Sequence, residues 1–255
     1  MNIDREKVTP MMAKYLQTKD EYKDCILFYR LGDFYEMFFD DAITASRELE
    51  ITLTGKSCGL EERAPMCGVP FHSANVYIAK LVEKGYKVAI CEQTEDPKEA
   101  KGLVQRDVIR IVTPGTIVED GILDEKKNNY LAVVYFKDSR FGMAFSDIST
   151  GEVFSTCVSD FESVINEIAR YSPSEIIADE RAYDLFADII ETRFHVRMQK
   201  REAELFESYV KDEKLFNQFK KESLNDLGLS EYGPETSAVF ALVSYLEETQ
   251  KGSVL

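Results

Sequence analysis

The run Leu27-Phe28-Tyr29-Arg30-Leu31-Gly32-Asp33-Phe34-Tyr35-Glu36-Met37-Phe38 constrains the fold more than any other stretch of this chain. Five of its twelve residues are aromatic. Cys25 to Arg30 is almost wholly apolar, the pattern of a buried strand. Gly32-Asp33 then turns the chain. Beyond the turn, Phe34, Met37, Phe38, Ala42, Ala45 and Leu49 recur at helical spacing, which predicts a helix to about Leu49.

Aromatics at helical spacing are usually core residues. An aromatic held out at a turn can instead act as a wedge, entering a minor groove and unstacking a base step. Phe34 is the candidate wedge, and the Glu36 carboxylate stands where it can read what the wedge displaces. On an ideal helix, residues two apart point about 200° from one another. Both therefore face one partner only if Phe34 lies at or before the helix start, where free N–H groups would also point toward a duplex.

The rest of the first half reads as mixed α/β. Thr9-Pro10 starts a helix that runs to about Lys19. Ile51 to Thr54 reads as a strand and Gly55 to Pro70 as a loop. Ser73 caps a helix that ends before Gly85. Lys87 to Gln93 and Val108 to Val112 read as strands. Thr113-Pro114-Gly115-Thr116, followed by the acidic stretch Glu119 to Lys127, reads as a linker. The second half opens with three strands, Tyr130 to Phe136, Phe141 to Ser149 and Glu152 to Val158, joined by hairpin-like turns. A helix from Phe161 to Tyr171, a strand from Glu175 to Ala178, further alternation to about Arg201, and a helix over Thr236 to Thr249 follow.

Four segments together resemble one family. The Leu27 to Glu36 run is similar to the Phe-x-Glu region of the MutS mismatch-repair proteins. Pro65-Met66-Cys67-Gly68-Val69-Pro70-Phe71-His72 resembles the family's Pro-Met-x-Gly-[Val/Ile]-Pro-aromatic-His segment. Val88-Ala89-Ile90-Cys91-Glu92-Gln93 and Arg110-Ile111-Val112-Thr113-Pro114-Gly115-Thr116 resemble two more family blocks, and all four stand in the family's order. The resemblance runs from about Thr9 to Thr116 and more diffusely beyond.

It implies an α/β protein with a mixed-sheet mismatch-binding domain over 1–116, a linker over 117–128 and a ribonuclease H-like connector domain over 129–250. Three antiparallel strands followed by alternating helices and strands fit that connector. Residues 251–255 would begin a further domain, because the family continues into lever, clamp and ATPase domains. By resemblance, Phe34 stacks on the mispaired base from the minor groove and Glu36 hydrogen-bonds the displaced base. Lys56 and Arg106 are candidate phosphate contacts, Met66 packs beside the DNA from a loop, and Leu31 buttresses Phe34. Tyr35 and Phe38 are assigned to the core. Lys56 stands where family members often carry arginine, so its charge is carried over and bidentate geometry is not.

The resemblance implies mismatched double-stranded DNA as ligand, a MutL-like partner at the connector, and a homodimer for the full-length protein with this piece monomeric. Within the 255 residues nothing fits G-x-x-x-x-G-K-[S/T]: Gly55-Lys56-Ser57 matches its end, but Glu50 occupies the first glycine position. ATP or ADP and Mg are thus expected of the family's ATPase domain, and no cofactor of these residues. A cytoplasmic, nucleoid-associated location follows from the same resemblance.

Charge qualifies the DNA reading. The net charge is −15, wrong for a protein that binds DNA by electrostatics alone. Residues 1–130 carry 18 basic and 23 acidic side chains, and residues 131–255 carry 13 and 23. The first half is therefore the better candidate for local contact with nucleic acid, and the second for contact with protein. Five cysteines without a C-x-x-C pair, and only two histidines, argue against a disulfide framework and a zinc site and for a reducing cytosol. No apolar run of about eighteen residues suggests a membrane span. A ribonuclease H-like nuclease needs clustered carboxylates, one of them on its first strand. Asn129 to Phe136 contains none, and Asp147 on the next strand has no evident partner, so catalysis is not expected.

Overall fold

The structure, a computed structural model, describes residues 3–95, 102–117, 128–207 and 211–251. The chain divides into two compact units, Met1–Thr113 and Pro114–Leu255. Residues 118–127 of the expected linker and residues 252–255 lie outside the described residues.

Each unit is mixed α/β around a mixed sheet. The first comprises α1 (Pro10–Glu21), β1 (Cys25–Leu31), β2 (Phe34–Phe38), α2 (Phe39–Leu49), β3 (Thr54–Lys56), β4 (Ala64–Pro70), α3 (Ala74–Glu83), β5 (Lys87–Gln93) and β6 (Arg106–Val112). Its strands lie in the order β3-β4-β2-β1-β5-β6. All neighbours are antiparallel except β1 and β5.

The structure corrects the region after Gly32. Phe34 to Phe38 is a strand, and the helix starts only at Phe39. Gly32-Asp33 is a two-residue hairpin loop with Leu31 opposite Phe34 and Gly32 at φ +59°. A primed hairpin turn asks for that backbone, and glycine adopts it without steric cost. The apolar residues of β2 and α2 together mimic one helical stripe because the junction carries no break in polarity. The junction is nevertheless sharp, since Phe39 sits at φ 53°. Two groups hold it. The Tyr15 hydroxyl lies 3.3 Å from both the backbone N and O of Phe38, and the Asp41 carboxylate accepts from the Leu27 N–H at 3.0 Å and pairs with Lys19 at 2.9 Å.

Ile51 to Leu53 is not a strand; β3 begins at Thr54. The expected loop from Gly55 to Pro70 contains most of β3 and all of β4. Ser73 does not cap α3: it ends a short 3-10 turn, and its hydroxyl donates to the Pro70 carbonyl.

Strand alternation divides the sheet into two faces. Leu27, Tyr29, Phe38, Ala89, Cys91, Val108 and Ile111 form one core with Met12, Tyr15 and Leu16 of α1. On the other face Ile26, Phe28, Tyr35, Met37, Cys67 and Val69 are buried, and α2 and α3 pack there.

The second unit comprises β7 (Tyr130–Lys137), β8 (Arg140–Asp147), β9 (Glu152–Val158), α4 (Phe161–Tyr171), β10 (Glu175–Ala178), α5 (Glu180–Phe194), β11 (Met198–Lys200), α6 (Lys211–Phe219) and α7 (Pro234–Gln250). Its strand order is β11-β10-β7-β8-β9, with β7, β8 and β9 antiparallel and β10 parallel to both β7 and β11. Asp138 and Ser139, both at positive φ, close the β7–β8 hairpin. Helix α7 lies on one face over Leu131, Val133, Ala144 and Ile177. The apolar stripes of α4 and α5 cover Ala132, Val134, Met143 and Phe145 on the other. A Cβ at Gly142 would come within 2.0 Å of the Pro234 backbone, so the close seating of α7 on β8 depends on glycine there.

Candidate nucleic-acid interface

Helix α1 covers only part of its face of the first sheet. At the turn end of β1 and β2 the face is open, and Phe34 stands there 47% exposed. Glu36, two residues along the same strand, points to the same face, because side chains in a strand repeat every second residue. The helical expectation set these side chains about 200° apart; the strand places them side by side. No helix N-terminus lies at Phe34, so the expected N–H groups are not part of this site. Phe38 and Tyr35 are core residues, as expected.

Register carries the other candidates to the same face. Leu31 pairs with Phe34 across the hairpin and is partly buried against the α1 core, where a buttress would sit. Met66 is on β4 opposite Phe38, in a strand rather than a loop, and packs against the same core. Arg106 is opposite Gln93 on β6, and its guanidinium lies 5.3 Å from the Tyr29 ring. It donates to the carbonyls of Arg30 and Val104, both at 2.7 Å, so hydrogen bonds to its own backbone fix its position. Lys56 is on β3 at the sheet edge, and its ammonium pairs with Glu36 at 2.5 Å. It also lies 5.6 Å from the centre of the Phe38 ring. All six residues named from the sequence thus share one face of one sheet.

On the opposite face a network missed in the sequence braces the hairpin. The Arg30 guanidinium stacks 3.6 Å from the centre of the Phe71 ring and pairs with Glu92 at 3.2 Å. Its Nε donates to the Gly32 carbonyl at 2.5 Å, inside the turn itself. The Tyr35 hydroxyl donates to Glu92. Burial, and after it the Glu92 carboxylate, raises the Tyr35 hydroxyl well above its usual range, so it stays a donor. The Phe71 N–H donates to the Asp33 carbonyl at 2.9 Å, tying β4 to the same turn. Arg30 and Glu92 are 62 residues apart in the chain. Only the proximity of Arg30 to Gly32 could have flagged it.

Asp147, tested as a catalytic acid from the sequence, serves its own turn. Its carboxylate accepts from the N–H groups of Asn129 and Ser149 and from the Ser149 hydroxyl, at 2.6–3.0 Å. Glu175, buried on β10, accepts from the Gly115 N–H, the Tyr245 hydroxyl and the Gln199 amide. Among the described residues, no cluster of three His, Cys, Asp or Glu side chains could hold a metal, and no helix is long and apolar enough to cross a membrane.

Comparison with known proteins gives a consistent result. Residues 9–121 match the family model for MutS domain I, and residues 129–255 match that for MutS domain II. The chain is 55% identical over 249 residues to the DNA mismatch repair protein MutS of Acetivibrio thermocellus, covering 96% of this chain and 28% of that protein. It is 51% identical over 250 residues to the MutS of Lachnoclostridium phytofermentans, covering 97% of this chain and 27% of the relative. With the MutS of Clostridioides difficile the identity is 50% over 251 residues, 98% of this chain and 26% of the relative. The chain thus spans little more than a quarter of the length of these relatives. A solved structure, the Thermoplasma acidophilum Pelota protein, aligns at TM-score 0.26 and 14% identity over 84% of this chain and 71% of that one, too slight a likeness to carry an argument.

Proposed function

Because the chain belongs to the MutS family and comprises its domains I and II, we propose that its first unit recognises mispaired or looped-out bases in duplex DNA through the open face around Phe34. The observation that carries this reading is the joint placement of an exposed aromatic and a carboxylate on one strand, braced from behind by the Arg30 network. A mispair lowers the cost of unstacking and kinking, so a wedge selects sites that are already weak. Stacking recovers about 1–3 kcal/mol per base on comparable aromatic platforms. Phe34 is the wedge and enters from the minor groove; Glu36 hydrogen-bonds the base that Phe34 displaces. A duplex that offers no such bond gives Glu36 no partner on the DNA, so matched DNA is bound less well than mispaired DNA. Lys56 and Arg106 contact the backbone, and Leu31 and Met66 support the wedge.

The second unit is a connector of the ribonuclease H-like class. Its strand order, three antiparallel strands continued beyond β7 by two parallel ones, and its helices on both faces support that reading. The connector relays DNA binding to the ATPase of the longer relatives and engages a MutL-like partner. ATP and Mg act in that ATPase, and neither unit described here is catalytic. A nuclease reading would need a free carboxylate cluster, and both Asp147 and Glu175 are committed to backbone and side-chain donors. The whole protein acts as a dimer in the cytoplasm at the nucleoid, and these 255 residues alone are monomeric. With its acidic balance, this chain alone binds duplex DNA only weakly, with Kd above micromolar at physiological salt. Titration of a labelled matched duplex and the same duplex with one mispair tests both points: a mispair preference on a weak background is expected, and equal affinities would reject the reading.

A further inference from the structure

We propose that Lys56 is a specificity-determining residue which Glu36 withholds from matched DNA and releases at a mispair. The inference rests on Glu36 being the base reader, as proposed above. Its geometry is the ion pair between Lys56 Nζ and Glu36 Oε2, 2.5 Å apart, with the Glu36 side chain 16% exposed and the Lys56 side chain 32%.

Both partners have an alternative. A lysine ammonium is a compact charge on a flexible stem, able to move between a carboxylate and a phosphate. Lys56 lies on β3, at the edge of the sheet, where its stem is not enclosed by a further strand. Two arginines near the site lack this freedom. The Arg106 guanidinium is fixed by two backbone carbonyls, and that of Arg30 by Gly32, Glu92 and the Phe71 ring. Lys56 lies on the open face, and its ammonium donates to the proposed reader itself.

On a matched duplex the bases stay stacked and offer Glu36 no partner. Glu36 then keeps Lys56, and the pair adds no phosphate contact. At a mispair, Phe34 displaces a base whose edge takes Glu36, and the freed ammonium turns to a phosphate. The protein therefore makes one more ionic contact on mispaired than on matched DNA. Each neutralised phosphate steepens the fall of log affinity with log salt by about 0.9. The signature is thus a difference in salt slope between two duplexes bound by one protein, which a fixed set of contacts cannot produce.

The test measures salt-dependent affinities of the 255-residue chain for a matched duplex and the same duplex with one mispair. It compares the unaltered chain, Lys56→Gln, Lys56→Arg, Glu36→Gln and the double variant Lys56→Gln/Glu36→Gln, with thermal unfolding of each as the folding control. The unaltered chain and Lys56→Arg should show a slope steeper by about one on mispaired DNA. Lys56→Gln should lose that difference and weaken mispair binding by more than it weakens matched binding, where only the neutralising charge beside Glu36 is lost. Glu36→Gln should lose the difference the opposite way, by tightening matched binding, because Lys56 is then free on both duplexes. Lys56→Gln introduced into Glu36→Gln should weaken both duplexes equally. Equal slopes in the unaltered chain, or equal weakening of both duplexes by Lys56→Gln alone, would overturn the inference. If Glu36→Gln leaves the mispair preference intact, the reader assignment itself has failed. If Glu36→Gln abolishes that preference while Lys56→Gln does not, only the present inference has failed.

Discussion

The two units use similar materials to different ends. In the second unit, helices cover both faces of the sheet, and the buried carboxylates of Asp147 and Glu175 are each taken up by several donors, main-chain N–H groups among them. In the first unit α1 stops short, and the acid near the opening, Glu36, is held by one movable side chain. A carboxylate bound to N–H groups that the fold fixes cannot change partners without local unfolding. One paired with an edge lysine can. The proposed recognition site lies where a sheet face is left open and its acid, Glu36, is paired with a side chain rather than with the backbone.

The sharpest way to break this contrast is to empty each region of an aromatic. Phe145, fully buried on β8 and stacked on Tyr171, should cost about 3–5 kcal/mol when replaced by alanine. Chemical denaturation measures it, and a loss comparable to that of an exposed residue would refute the closed core assigned to the second unit. Glu175→Ala comes next. It removes the acceptor shared by the Tyr245 hydroxyl, the Gln199 amide and the Gly115 N–H, for an expected cost of about 1–3 kcal/mol without effect on DNA preference.

Arg30→Ala should cost less stability, about 1 kcal/mol, because its ion pair and ring contact are only partly buried and no core side chain is lost. It should weaken mispair preference several-fold by loosening the Gly32 turn, with matched affinity unchanged. Equal weakening on both duplexes would make Arg30 a plain cationic contact.

Thiol labelling sharpens the comparison at no cost in stability. Burial raises Cys25, Cys67 and Cys91 in the first unit to about 12, so about one in ten thousand would be thiolate at pH 8. Cys157 in the second unit is only partly buried. An alkylating reagent should modify Cys157 first and the first-unit thiols only as that unit unfolds. Early reaction at Cys67 or Cys91 would mean that the first core is open.

Much of the second unit was legible in the sequence. The helix Phe161–Tyr171 and strand Glu175–Ala178 carry clean periodicity, and the Asp160 side chain caps the helix by accepting from the Ser163 N–H. The first unit misled at β2, where strand and helix residues compose one apparent stripe and the break at Phe39 is conformational rather than chemical. Glycine and proline made β4 look like a loop, although Gly68 and Pro70 both lie within its ladder. The six candidate residues were named through resemblance. Their common face was not, since it follows from register across six strands. Nor was the Lys56–Glu36 pair, which joins residues 20 positions apart.

The central claim is that Phe34 is displayed for DNA and not for the fold. The most direct test is the ratio of mispaired to matched duplex affinity for the unaltered chain and for Phe34→Ala, with the unfolding temperature of each. The account predicts that the ratio falls to about one in Phe34→Ala while stability changes by roughly 0.5 kcal/mol, as for a surface substitution. A ratio that survives the substitution, or a loss of about 3–5 kcal/mol as for a core phenylalanine, would contradict it.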